Sequence, residues 1–161
     1  MENEVYIPGS FDVEEEFKPE PLIPQGSYHG DVTAVSYDPE QNAVVWQVTL
    51  NDNGGVKSDG ETPIDGSVLY YRNFLPREGD ENELTRDGRM TKRQAKINML
   101  RRFSDAMGVD MSTPAKIAEA IRNAEWIGLR VDVQVGIREY EGQVTNEIRK
   151  MIAVWQGKEG K

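Results

Sequence analysis

Three residues in the middle of the chain are of types that stack planar groups and hold negative charge. Tyr70, Arg72 and Phe74 fall on alternate positions of the apolar run from Ser67 to Leu75, so that as a strand they share one face. Two rings with a guanidinium between them suit a single-stranded nucleic acid, whose bases stack on aromatics and whose phosphates pair with cations. Alternation alone does not say which face is inside. The other face carries Leu69, Tyr71, Asn73 and Leu75, and the trio could equally be core with Arg72 at its rim. The arginine tips the reading outward, because a buried guanidinium needs a charged partner. Loop acids such as Asp52 and Asp65 could supply one.

Further candidates lie downstream. From Arg86 to Arg102 the chain holds seven bases (Arg86, Arg89, Lys92, Arg93, Lys96, Arg101, Arg102) against Asp87 alone, a balance of +6. Lys92, Arg93 and Lys96 crowd the first turns of a helix, where bases oppose the helix dipole at a cost of about a few tenths of a kcal/mol. That choice hints at an anionic ligand, to which Arg89 would add. Arg130 and Arg138 lie on the polar face of a later strand, and Tyr140 sits at a hairpin tip. A solvated sheet face and a packed turn explain these three as well. Asp132, Glu147 and Lys150 on the last two strands offer a different chemistry, since carboxylates near a lysine can hold a magnesium ion and a water. No tight motif links them, and scattered charges on strands read first as a solvated face. With one histidine, His29, and no cysteine, the chain has no material for a histidine metal site, a Ser-His-Asp triad or a disulfide. The expectation is a protein that is not an enzyme, with no catalytic residue, no metal and no cofactor.

The net charge of −9 taken alone argues against a nucleic-acid partner. Its distribution argues otherwise. Residues 1–21 carry seven acids (Glu2, Glu4, Asp12, Glu14, Glu15, Glu16, Glu20) against Lys18, a balance of −6. Pro8, Pro19 and Pro21 break any helix there, while Tyr6, Ile7, Phe11, Val13 and Phe17 are interleaved with the acids. The stretch reads as an acidic flexible arm, either pinning a few apolar residues to the domain surface or serving as an interaction segment. A folded domain over residues 22–157 and a short C-terminal tail at 158–161 follow. There is no apolar run long enough for a membrane span, and the acidic N-terminus does not resemble a signal peptide. A cytoplasmic protein without a membrane partner is expected.

The elements that would position these residues follow from periodicity. A first strand, Tyr28 to Val35, places Tyr28, Gly30, Val32 and Ala34 on one face, and Asp38 to Asn42 is a turn. A second, Ala43 to Leu50, gathers Val44, Trp46, Val48 and Leu50. Glycines, acids and Pro63 make Asn51 to Gly66 a long, flexible loop before the third strand. Thr91 caps a helix from Lys92 to Met107 closed by Gly108, with Ile97, Leu100, Phe103 and Met107 as its buried stripe. Ser112-Thr113-Pro114 starts a shorter helix lined by Ile117, Ala118 and Ile121, after which Trp126-Ile127 returns to the sheet. The chain then alternates from Leu129 to Ile137, turns near Gly142 and resumes from Thr145. Ile148, Ile152 and Val154 on one side of that last strand face Met151, Ala153 and Trp155 on the other. Apolar on both faces, it should lie inside a closed or covered sheet. Trp46 and Trp126, each among apolar neighbours, belong to the core. The fold class is therefore mainly β with a helical insert: a five-stranded OB-fold-like barrel, helices between strands 3 and 4.

From Leu22 to Val154 the chain resembles a phage and prophage family of small OB-fold proteins taken as single-stranded-DNA-binding proteins of replication and recombination modules. The residues that carry the likeness are Leu22-Ile23-Pro24-Gln25-Gly26-Ser27-Tyr28, Asn73-Phe74, Arg101-Arg102-Phe103 and the ending from Tyr140 to Ile148. The resemblance implies sequence-nonspecific binding of single-stranded DNA in phage DNA replication or recombination. It also implies that the acidic arm docks a replication or recombination protein and, if the chain is phage-encoded, a place in the bacterial host cytoplasm. The alternatives are an acidic interaction protein, or decoy, for a DNA-binding partner and a metal-dependent nuclease.

Overall fold

Alternating β-branched and aromatic residues become strands, and the residues between them set how those strands join. The structure is a computed structural model describing residues 4–154. Glu2, Trp155 and the tail at 158–161 lie outside the described residues. The strands are β1 (Gly26–Asp38), β2 (Ala43–Leu50), β3 (Val68–Phe74), β4 (Arg130–Tyr140) and β5 (Gln143–Ala153). The helices are a single turn in the arm, α1 (Val13–Glu16), then α2 (Lys92–Met107) and α3 (Pro114–Arg122), which follow β3 in the chain. The described residues are thus mainly β, one antiparallel five-stranded sheet in the order β3-β2-β1-β4-β5 with three helices.

The long β1 makes that order possible, pairing with β4 over Gly26 to Asp31 and with β2 from Gly30 to Asp38. At the opposite ends of the order, β3 and β5 approach within 8 Å, Cα to Cα, but no ladder joins them. The sheet curls without closing.

Its concave face holds the core. Val44, Trp46, Val48 and Leu50 of β2 are all fully buried. Trp46 stacks on Trp126 with centroids 5.0 Å apart and meets Phe103 of α2 edge-on at 5.2 Å. Phe103 in turn stacks on Tyr71 of β3 at 5.3 Å. Both tryptophans are core residues, as their apolar neighbourhoods indicate. The indole N–H of Trp46 donates to Asn73 Oδ1 at 2.6 Å, which lets a polar side chain sit in this core without an unpaired donor.

The helix boundaries follow their capping chemistry. Thr91 Oγ1 accepts from the Gln94 N–H at 3.0 Å, and Gly108 ends α2 at φ +68°. In α3 Thr113 caps and Pro114 opens the first turn. The buried stripes are narrower than the periodicity implies. Ile97 is 38% exposed, Ala120 rather than Ala118 packs inward from α3, and Ile127 is exposed beside the buried Trp126.

Two bulges correct the strand faces. In β1 the register slips at Thr33, so Val35 rather than Ala34 follows Val32 onto the core. In β5 Arg149 is the extra residue, since Gln134 pairs with Lys150 and Val135 with Ile148. Ile148, Met151 and Ala153 then all face inward and Ile152 is exposed. The last strand is therefore apolar on one face only, and it stands at the end of the strand order.

The connections also differ from expectation. The loop 51–66 is internally bonded: the Asp65 carboxylate accepts from the N–H groups of Asn53 and Gly54, Val56 bridges Pro63, and Ile64 is buried. The arm holds one helical turn, because the Asp12 carboxylate accepts from the N–H groups of Glu14 and Glu15 and the prolines lie outside that turn. The first residues tied to the domain are Leu22, through Ser58 of the loop 51–66, and Ile23, whose N–H donates to Asn146 Oδ1 of β5 at 2.8 Å. No helix among the described residues is long and apolar enough to cross a membrane.

Candidate nucleic-acid interface

The inward turn of Leu69, Tyr71 and Asn73 toward Trp46 and Phe103 leaves the alternate residues of β3 outside. Tyr70 is 49% and Phe74 50% exposed, with Arg72 exposed between them. In register the neighbouring strand sets the half-buried Gln47 and Val45 opposite Tyr70 and Arg72, and the fully buried Ala43 opposite Phe74. Gln47 Nε2 donates to Thr33 Oγ1 at 3.0 Å, which extends the polar surface onto β1. The result is a strip of two rings and a cation, open to solvent along one strand.

The basic block at the start of α2 is largely answered by acids. Lys92 Nζ lies 2.7 Å from Glu83 Oε1, and Lys96 Nζ 2.8 Å from Asp80 Oδ2. Asp80, buried in the 3-10 turn Asp80–Asn82, also accepts from the Arg77 N–H at 2.7 Å. The Lys96 hydrogen bond, with that backbone donor, holds the Asp80 carboxyl below its ordinary range, and the bond to Glu83 raises Lys92. Two of the three bases at the helix start thus have local partners and need no ligand to explain them. Arg93 is exposed without an ion pair among the described residues, and Arg89 is exposed with Asp87 3.8 Å away.

Arg130 sits in a different setting from that of a solvated strand residue. Only 21% of its side chain is exposed, with Asp52 at 2.8 Å, Asp31 at 3.4 Å and Asn51 in direct contact. It clamps the start of β4 to β1 and to the loop after β2, and its charge is already spent on two carboxylates. Arg138 lies over the ring of Tyr140, 5.7 Å from its centroid, and that tyrosine is 62% exposed. They stand beside a two-residue turn, Glu141-Gly142, with positive φ at both positions. This hairpin is a second aromatic and cationic pair, separate from the β3 strip.

The two carboxylates of the nuclease trio are engaged elsewhere, and its lysine has no acid partner among the described residues. Asp132 Oδ1 is 2.6 Å from His29 Nδ1, Glu147 pairs with Arg149 at 3.1 Å, and Lys150 stands opposite Gln134. Among the described residues no three His, Cys, Asp or Glu side chains gather as metal ligands.

One feature escapes sequence reasoning. Where β3 and β5 fail to pair, α2 crosses the gap and leaves a cleft of about 770 Å³. Its floor is apolar, with Tyr71, Met99, Leu100 and Phe103, and its rim carries Arg72, Arg77, Lys96, Arg102, Arg149 and Lys150. No acid lines it. The bases come from β3, the loop after it, α2 and the β5 bulge, so no local run announces them.

No protein-family model matches the chain, and no curated protein matches it. The functional reading therefore rests on the geometry of these surfaces.

Proposed function

We propose that the chain binds single-stranded DNA without sequence preference, acting in phage DNA replication or recombination. The observation that carries this is the solvent-facing ladder of Tyr70, Arg72 and Phe74 on β3. The sheet order and the near approach of β3 to β5 support an OB-like, partly open barrel, in which the strand 2–3 face and the loops 1–2 and 4–5 are the usual oligonucleotide surface. In that reading the β3 strip and the Arg138–Tyr140 hairpin would be that surface, with Arg93 of α2 and Arg89 just before the helix adding cations. The bases of a strand stack on the rings while its phosphates follow Arg72 and Arg138. The acidic arm would then be the segment offered to a replication or recombination protein.

A fluorescence titration with single-stranded and duplex oligonucleotides at several salt concentrations tests this. Single strands bind more tightly, and the logarithm of affinity falls with the logarithm of salt by about 0.7 per phosphate neutralised. Equal or tighter duplex binding overturns the reading. The exposed apolar residues of the acidic arm favour a second one, an acidic interaction protein or decoy for a DNA-binding partner. It predicts no oligonucleotide binding at any salt concentration.

A further inference from the structure

Each chain carries two complementary surfaces that do not meet. In the cleft, Lys96 and Arg149 already have acid partners, whereas Arg72, Arg77, Arg102 and Lys150 have none among the described residues. Four such cations around an apolar floor select an anionic ligand with hydrophobic groups. Phe74, half exposed, and the half-buried Tyr71 line the cleft together with Met99 and Leu100, so its apolar surface can pack aromatic as well as aliphatic side chains.

The arm has the matching chemistry. Asp12, Glu14, Glu15 and Glu16 place four carboxylates within five residues, beside Phe11, Val13 and Phe17, which are 67%, 65% and 68% exposed. Val13 and Phe17 stand one helical turn apart, so both side chains emerge on one side of α1. The hydrogen bonds of Asp12 to Phe17 are internal to the arm, and the chain first bonds to the domain at Leu22, through Ser58 of the loop after β2. Exposed apolar side chains in this number mark an interaction segment.

We infer that the cleft between β3, β5 and α2 receives the acidic arm of a second copy, Phe11 to Phe17, with the two phenylalanines on the apolar floor and the carboxylates on the four free cations. The occupant is a second copy because each chain leaves its own arm uncovered and its own cleft open. The inference does not depend on DNA binding and is tested without DNA.

Light scattering on full-length chains provides the test. Wild type associates with rising concentration, and salt weakens the association. A cleft variant, Arg102→Glu with Lys150→Glu, and an arm variant, Phe11→Ser with Phe17→Ser, each stay single. Mixed in equal amounts they regain a two-chain complex, since one supplies an intact arm and the other an intact cleft. That recovery also shows that both variants are folded. A wild type that stays single at high concentration, or a mixture that does not associate, overturns the inference. So does a single wild type whose cleft binds an added Ser10–Lys18 peptide less well than the arm variant does, because the arm would then fill its own cleft.

Discussion

At the scale of the residue, exposure separates side chains that can act on a ligand from those that hold the sheet. Tyr70→Ala or Phe74→Ala is expected to weaken single-stranded DNA binding by about 1–3 kcal/mol, the usual worth of a base on a ring. Melting temperature should barely move, because half of each ring is already in water. A large loss of melting temperature in Phe74→Ala would shift the site to Tyr140. Asn73, on the inner face, behaves oppositely. Asn73→Leu leaves the Trp46 N–H unpaired in the core and should cost about 1–3 kcal/mol of stability, read by denaturant unfolding. Asp80→Asn should lower the melting temperature at neutral pH. The Asp80 carboxyl is depressed below its ordinary 3.8, so its contribution is complete above that value and is lost as pH falls through the depressed one. The gap between variant and wild type should therefore narrow in acid, and a gap that stays constant would mean that the charge of Asp80 is not what matters. Some of these roles were legible in sequence and some were not. Alternation grouped Tyr70, Arg72 and Phe74 on one face of β3, and the arginine favoured the outward placement that their exposure shows. Arg130 could not be sorted from Arg138, because its carboxylate partners lie 99 and 78 residues away.

At the scale of the element, periodicity finds strands and caps find helices, but bulges decide which face a residue occupies. The limits of β2, α2 and α3 follow from Val/Trp alternation, Thr91, Gly108 and Thr113-Pro114, all local signals. The slips at Thr33 and Arg149 are not local, since each exists only relative to a partner strand. Two glycines show how tightly those pairings are built. A Cβ on Gly30 would lie 2.7 Å from Val48 Cγ1 and 2.9 Å from the Thr49 carbonyl oxygen, where β1 is shared between β2 and β4. Backbone cannot move aside, so Gly30→Ala should cost about 1–3 kcal/mol as overpacking. A Cβ on Gly136 would instead meet the Arg149 side chain, which crosses over it to donate to the Ile137 carbonyl at 2.9 Å. That side chain can swing away. Gly136→Ala should therefore cost less than Gly30→Ala, and less again when Arg149→Ala is already present. Additive costs for the two changes at 136 and 149 in urea unfolding would show that the crossing side chain is not the obstacle.

At the scale of the whole molecule, the net charge of −9 misdescribes the surfaces that meet a ligand. The arm carries −6 on its own, while the cleft is lined by cations without a single acid. The sequence showed the two charge blocks but not the cleft, whose cations converge only when the sheet curls and α2 spans the gap. The arm is tethered at Leu22, beside Ser58 and close to Asn146 of β5, so its charge stays near the domain whatever path it follows. A tethered segment acts at an effective concentration that can reach about the millimolar range. If the chain binds single-stranded DNA as proposed, the field of these carboxylates opposes the approach of the phosphates. Changing Glu14, Glu15 and Glu16 to glutamine in the full-length chain removes three of these charges while keeping side-chain length. Single-stranded DNA should bind this variant more tightly than wild type at low salt. The difference should fade as salt rises, because at about 0.1 M the screening length falls to roughly 10 Å. Equal affinities at low salt would place the arm's charge outside the reach of the DNA surface. A gain that persists at high salt would mean that the glutamates act by contact and not through their field.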